Sequence, residues 1–315
     1  DDLSRGLGDV YKRQVLQLYL RRSAEGRLPL RVYAMADGAN ETLARLCESG
    51  PVRDDSGRVI ARSVKLYADG ALGSRGAALI EPYTDAPETK GLLFHGDQSL
   101  LDLVTKAMGC GLQVNTHAIG DAANRQVLDV YADAMDQVPD HSGRHRIEHA
   151  QVVQVGDISR FRELGLIASM QPTHATSDMP WAEQRVGPER ILGAYAWQRF
   201  LSARVPLALG SDFPVESADP LLGLYASVAR ADQSGMPEEG WYPEQRLDME
   251  QAVAGFTRDA AYAGFMEDQV GQLQTGFRAD FVVLSQDIME ITAEEVLETQ
   301  VISTWIDGER IYSNE

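Results

Sequence analysis

From about residue 15 onward, short apolar runs alternate with longer stretches whose apolar residues recur at helical spacing. The runs at residues 30–36, 62–68, 112–117, 145–149, 166–171 and 205–211 predict strands. The stretches VLQLYLRRSAEG, NETLARLCESG, QSLLDLVTKAMGCG, DAANRQVLDVYADAMDQV, VGDISRFRELG, PERILGAYAWQRFLSA, DPLLGLYASVARAD and MEQAVAGFTRDAAYAGF read as helices, the second with Asn40 as its N-cap. Strands alternating with helices of this length predict βα units around a parallel sheet. The connection at residues 69–94 is long and rich in Gly, Pro and Thr, as functional loops often are. After Met266 the pattern changes. VGQLQTGFRADFVVLS and VISTWIDGERIY show period-two alternation with turn glycines at Gly271, Gly276 and Gly308, and predict a small antiparallel unit.

The pattern divides the chain into residues 15–266, a partial barrel, and residues 267–315. Residues 1–14, DDLSRGLGDVYKRQ, join abruptly onto the first amphipathic stretch and read as a non-native leader of the kind that adapter read-through produces. The expectation is a chain that begins in mid-domain. A net charge of −18 argues against nucleic-acid backbones and anionic membranes as partners, since an acidic surface repels both. No apolar run is long enough for a membrane span. The two cysteines, Cys47 and Cys110, form no CxxC pair. They read as small buried apolar residues in a reducing, cytoplasmic setting.

Four of the apolar runs stop at a residue able to bind a metal: SVKLYADG at Lys65, VNTHAIGD at His117, RIEHAQ at His149 and LALGSDFPV at Asp212. A side chain just past a buried strand projects into the mouth of an α/β barrel, where enzymes of that architecture keep their chemistry. Imidazole and carboxylate suit zinc and similar divalent ions. A lone histidine at a strand end is more often a core or capping residue; repetition at successive strands favours the ligand reading. Asp212 could instead cap a helix, although the next helix starts only near Asp219. Lys65, inside an apolar strand, costs desolvation unless it is paired or modified. It either forms a salt bridge to Asp69 or Glu148, or is carbamylated by CO2 to give a carboxylate that bridges two ions.

Strand alternation points Glu148 away from the mouth, in a structural role. His174, at the end of the run LIASMQPTH, reads as a substrate contact, a group behind the ligands, or a loop histidine. Asp121 either caps the following helix or orients His117. Arg75 either binds a substrate carbonyl or carboxylate or is a solvated loop charge. His95, His141 and His145 match no ligand position and read as surface or loop residues.

The segments VKLYADGALGSR, NTHAIGDAAN, RIEHAQ, ASMQPTHATSD, LALGSDFPVESADPLLGLYASV and GQLQTGFRADFVVLS together resemble the amidohydrolase superfamily. The resemblance is to the amidohydrolase 3 family, which includes N-substituted formamide deformylase-like proteins, and covers residues 15–315. It implies an α/β fold: a distorted (β/α)8 TIM barrel of metal-dependent hydrolase type, here without strands one and two, beside a small C-terminal β-sandwich portion. It implies Lys65, His117 and His149 as the ligands of strands four, five and six. Asp212 is then the strand-eight aspartate, both ligand and general base. The implied cofactor is a divalent metal, zinc first, as one or two ions. The implied reaction is hydrolysis of a carbon–nitrogen bond other than a peptide bond, in a small amide or formamide. A deaminase acting on a cyclic amidine is the alternative, and Lys65 counsels against it; an inactive fragment is a third reading. The family's strand-one His-x-His pair does not occur in the chain and would lie upstream. A homo-oligomer is left open.

Overall fold

The computed structural model describes residues 10–11, 13–38 and 41–314; the expected cap Asn40 lies outside them. Eleven strands are found among the described residues: β1 (Val10–Tyr11), β2 (Val32–Asp37), β3 (Val52–Arg53), β4 (Val59–Tyr67), β5 (Gln113–Ala118), β6 (Arg146–His149), β7 (Ile167–Met170), β8 (Leu207–Leu209), β9 (Phe281–Leu284), β10 (Val301–Ile306) and β11 (Glu309–Ser313). All six expected runs are strands, β2 and β4 to β8. The chain forms two compact units. The larger runs to Met170 and takes up Pro180–Pro206; the smaller holds Gln171–Met179 and everything from Leu207 onward.

In the larger unit, β1, β2, β4, β5, β6 and β7 pair in that order, all parallel, and β3 adds antiparallel to β4. Parallel strands are covered on both faces, which is why they read as nearly continuous apolar runs. Val59, Ala61 and Val64 of β4 are completely buried. β1 comes from the stretch set aside as a leader, and pairs Val10 with Met35 and Tyr11 with Ala36. In the smaller unit, β9, β10 and β11 form the antiparallel sheet expected from the period-two tail.

Two expected helices are broken. PERILGAYAWQRFLSA is not one helix: the first helical stretch ends at Arg190, a short 3-10 turn covers Ile191–Gly193, and a new helix starts only at Trp197. Gly193 lies so close to Val153 that a Cβ would come 1.9 Å from its carbonyl oxygen. The stretch from Met249 splits into helices Met249–Phe256 and Arg258–Ala263, hinged at Thr257, whose hydroxyl donates to the Val253 carbonyl. Side chain-to-backbone bonding of this kind competes with the helical ladder.

The cysteines correct the sequence reading. Cys47 and Cys110 are bonded to each other across 63 positions of sequence. Cys47 lies in the helix Glu41–Ser49 and Cys110 directly follows the helix Asp97–Gly109; these helices come after the neighbouring strands β2 and β4. Parallel crossovers of one hand place such helices side by side, which no spacing rule in the sequence reveals. Among the described residues no helix is long and apolar enough to cross a membrane.

His145 is also corrected, since it is completely buried rather than on the surface. The Val114 amide donates to its Nδ1 at 3.0 Å, and its Nε2 faces Nδ1 of His141 at 3.1 Å. Burial, reinforced by His141, pushes its pKa from 6.5 down to about 3. The unfolded chain therefore binds a proton that the folded chain refuses. Stability is complete above the unfolded value and falls as pH drops below it, by about 1.4 kcal/mol per unit for this one group. Urea unfolding at pH 7 and pH 5 should differ by about 2 kcal/mol more in the wild type than in His145→Gln. Equal pH dependence would refute the assignment.

Candidate metal centre

Register aligns the polar positions of the larger unit in two rows. Lys65 pairs with Asn115 and Asn115 with Arg146; one level higher, Tyr67 pairs with His117 and His117 with Glu148. Neighbours in register project from the same face of a sheet. Glu148 is thus on the face of His117, not away from it, and its carboxylate lies 2.9 Å from the Arg146 guanidinium. Alternation should then send His149 to the opposite face. It does not, because His149 sits at φ 75° and Ala150 at φ 41°. This left-handed turn brings the His149 ring to 4.6 Å from the His117 ring, nearly perpendicular to it. Non-glycine residues held in this region cost energy and cluster at functional sites.

Lys65 is 2% exposed, with its Nζ 5.3 Å from the centre of the Tyr67 ring; that ring lies 5.7 Å from His117. Tyr67 thus touches two of the nominated ligands, a role its place in an apolar run conceals. His117 Nε2 faces Oδ1 of Asp69 and the carbonyl oxygen of Gly70, each at 3.4 Å. Asp69 accepts from three backbone amides, those of Ala78, Ile119 and Gly120. The turn after β5 is further held by Asn124, completely buried, whose Nδ2 lies within hydrogen-bond distance of the Ala118, Gly120 and Val152 carbonyls. Gly120 is required there because a Cβ would come 1.9 Å from the Ala78 oxygen. The motif HAIGDAAN is therefore a close-packed strand-to-helix turn that carries His117.

The smaller unit holds two more of the nominated residues, His174 and Asp212. His174 is not at a strand end: β7 stops at Met170, and Pro172 opens the helix Pro172–Asp178 that carries it. Its Nε2 lies 3.6 Å from Oδ2 of Asp212. Asp212 is buried, follows β8 and sits at φ 59°, again left-handed. It caps no helix; the helix Pro220–Ala229 is capped by Asp219, which accepts from Leu221 N at 2.9 Å.

Each unit offers donors that suit a divalent metal: the larger has the buried His149 and half-buried His117 imidazoles and the buried Lys65, and the smaller has the buried Asp212 carboxylate and the half-buried His174.

The sequence matches the Amidohydrolase family over residues 5–312. The chain belongs to that family. It is 34% identical over 302 residues to amidohydrolase YtcJ of Bacillus subtilis (strain 168), covering 94% of this chain and 55% of that protein. It is 26% identical over 319 residues to the N-substituted formamide deformylase of Arthrobacter pascens, covering 96% and 56%. An uncharacterized metal-dependent hydrolase from Pyrococcus horikoshii OT3 superposes with a TM-score of 0.80 at 32% identity, covering 91% of this chain and 56% of that one. The chain thus spans about half the length of the relatives it matches. Its fold is that of the amidohydrolase barrels.

Two other residues singled out in the sequence make structural contacts. Asp121 neither caps its helix nor meets His117. It is the first residue of Asp121–Gln137, and its carboxylate accepts from Ile80 N at 2.9 Å and Gln154 Nε2 at 2.6 Å. Arg75, at φ 58°, makes a two-pronged pair with Asp85, which Arg185 shares. That pairing draws the chain around Arg75 and Asp85 together within the loop 69–94.

Proposed function

We propose that this chain carries most of the metal centre of a hydrolase that cleaves carbon–nitrogen bonds other than peptide bonds, in small amide or formamide substrates. The observation that supports it best is the facing His117–His149 pair. Lys65 extends that set in the larger unit, and His174 and Asp212 face each other in the smaller one. The formamide deformylase relative supports the substrate class.

A bound divalent ion, zinc first, would acidify a water and polarise the substrate carbonyl. The residues supply the rest. His117 and His149 would hold the ion through ring nitrogens. Asp212 takes the proton of the attacking water on a carboxylate oxygen and returns it to the leaving nitrogen. His174, facing Oδ2 of the same carboxylate, holds Asp212 in one orientation. Lys65, once carbamylated, would offer the ion a carboxylate, and the chain would be heavier by one CO2 in native mass spectra.

The test is formate or amine release from a panel of N-substituted formamides and small amides. Release should stop when a chelator strips the metal and return when zinc is added. Hydrolysis that persists after complete metal removal would overturn the proposal.

A further inference from the structure

We propose that Asp69 is a positioning residue for His117, holding the imidazole with its Nε2–H turned inward so that Nδ1 is the nitrogen left for a metal ion. This rests on the reading of His117 as a metal ligand. Asp69 lies two residues beyond β4 and is 1% exposed. A carboxylate has about four acceptor positions, two on each oxygen. Oδ2 receives the Ala78 and Gly120 amides, both at 2.8 Å; Oδ1 receives the Ile119 amide at 2.9 Å. One position remains, on Oδ1, and it faces His117 Nε2.

The Gly70 carbonyl oxygen faces the same nitrogen at the same 3.4 Å. Two acceptors therefore converge on Nε2. A ring nitrogen between two acceptors must carry the hydrogen, and in a neutral imidazole the other nitrogen then keeps its lone pair. The three amides come from two separate segments, the long loop after β4 and the turn entering the helix Asp121–Gln137. They fix the carboxylate independently of His117, so the orientation of the ring is set before any ion arrives. Residues behind a metal ligand act in this way, selecting tautomer and ring direction. The sequence suggested Asp121 for this task, but the strand-end aspartate performs it.

The competing account makes Asp69 only a clasp for two loops. Two measurements separate them. In the metal-free chain labelled with nitrogen-15 histidine, the His117 signals are assigned by their loss in His117→Gln. The wild type should show Nε2 protonated and Nδ1 bare. The opposite tautomer would overturn the proposal without any substitution at Asp69. In Asp69→Asn the tautomers should mix or invert, and zinc affinity, read by competition with a chromophoric chelator, should fall about 10- to 100-fold. In a His117→Gln background the same substitution should leave zinc affinity unchanged. An unaltered tautomer in Asp69→Asn, or an equal loss of affinity in both backgrounds, assigns Asp69 to the clasp alone. If His117→Gln itself leaves zinc binding intact, the ligand reading of His117 fails, while the tautomer measurement still decides what Asp69 does.

Discussion

Reducing the Cys47–Cys110 bond is expected to lower the stability of the folded chain by about 4 kcal/mol. The bond joins positions 63 residues apart, and the chain-entropy account gives a loss of this size for an unfolded loop of that length. Urea unfolding of the oxidised protein, of the same protein with reductant, and of a Cys47→Ala, Cys110→Ala double variant measures it. The midpoints of the last two should coincide, well below the first. Equal midpoints for all three would show that the bond does not constrain the unfolded chain. Such a bond also changes the inference about compartment. Persistent disulfides belong to oxidising surroundings and are uncommon in the cytosol, so a reducing setting no longer follows from the cysteine count.

Asp212→Asn is expected to lower kcat/KM by about 10²- to 10⁴-fold, the range for loss of a general acid–base group, with metal content nearly unchanged. The amide keeps the size of the side chain and one oxygen that can still bind an ion. It cannot take a proton from water and return it to a leaving nitrogen. His174→Gln, which removes only the group facing Oδ2 of Asp212, should cost less and act mainly on kcat. Parallel metal analysis and kinetics decide the matter. Wild-type turnover in Asp212→Asn would remove Asp212 from the proton transfer; loss of metal together with turnover would make it a ligand first.

The strands were readable because they are buried on both faces, and so appear as apolar runs that end where the chemistry begins. Lys65, His117, His149 and Asp212 were nominated in this way. What escaped depends on three-dimensional neighbours. His149 breaks alternation through a left-handed backbone that no side-chain pattern marks, which is also why Glu148 was assigned to the wrong face. His174 was placed on a strand because an apolar run leads into it, whereas Pro172 had already begun a helix. The helix breaks at Gly193 and Thr257 follow from a close approach to Val153 and from a hydroxyl bonded to its own turn. Asp69 looked like a salt-bridge partner for Lys65; its real contacts come from residues 78 and 117–120. The cysteine pair depends on which helices the parallel crossovers bring together.

The most direct test of the metal-centre account is anomalous diffraction at the zinc absorption edge, from crystals of the chain grown with zinc. The account predicts a strong anomalous peak about 2.0–2.2 Å from a ring nitrogen of His149, with His117 as a further ligand. A peak only at surface carboxylates, or none beside His149 at full zinc loading, would contradict it.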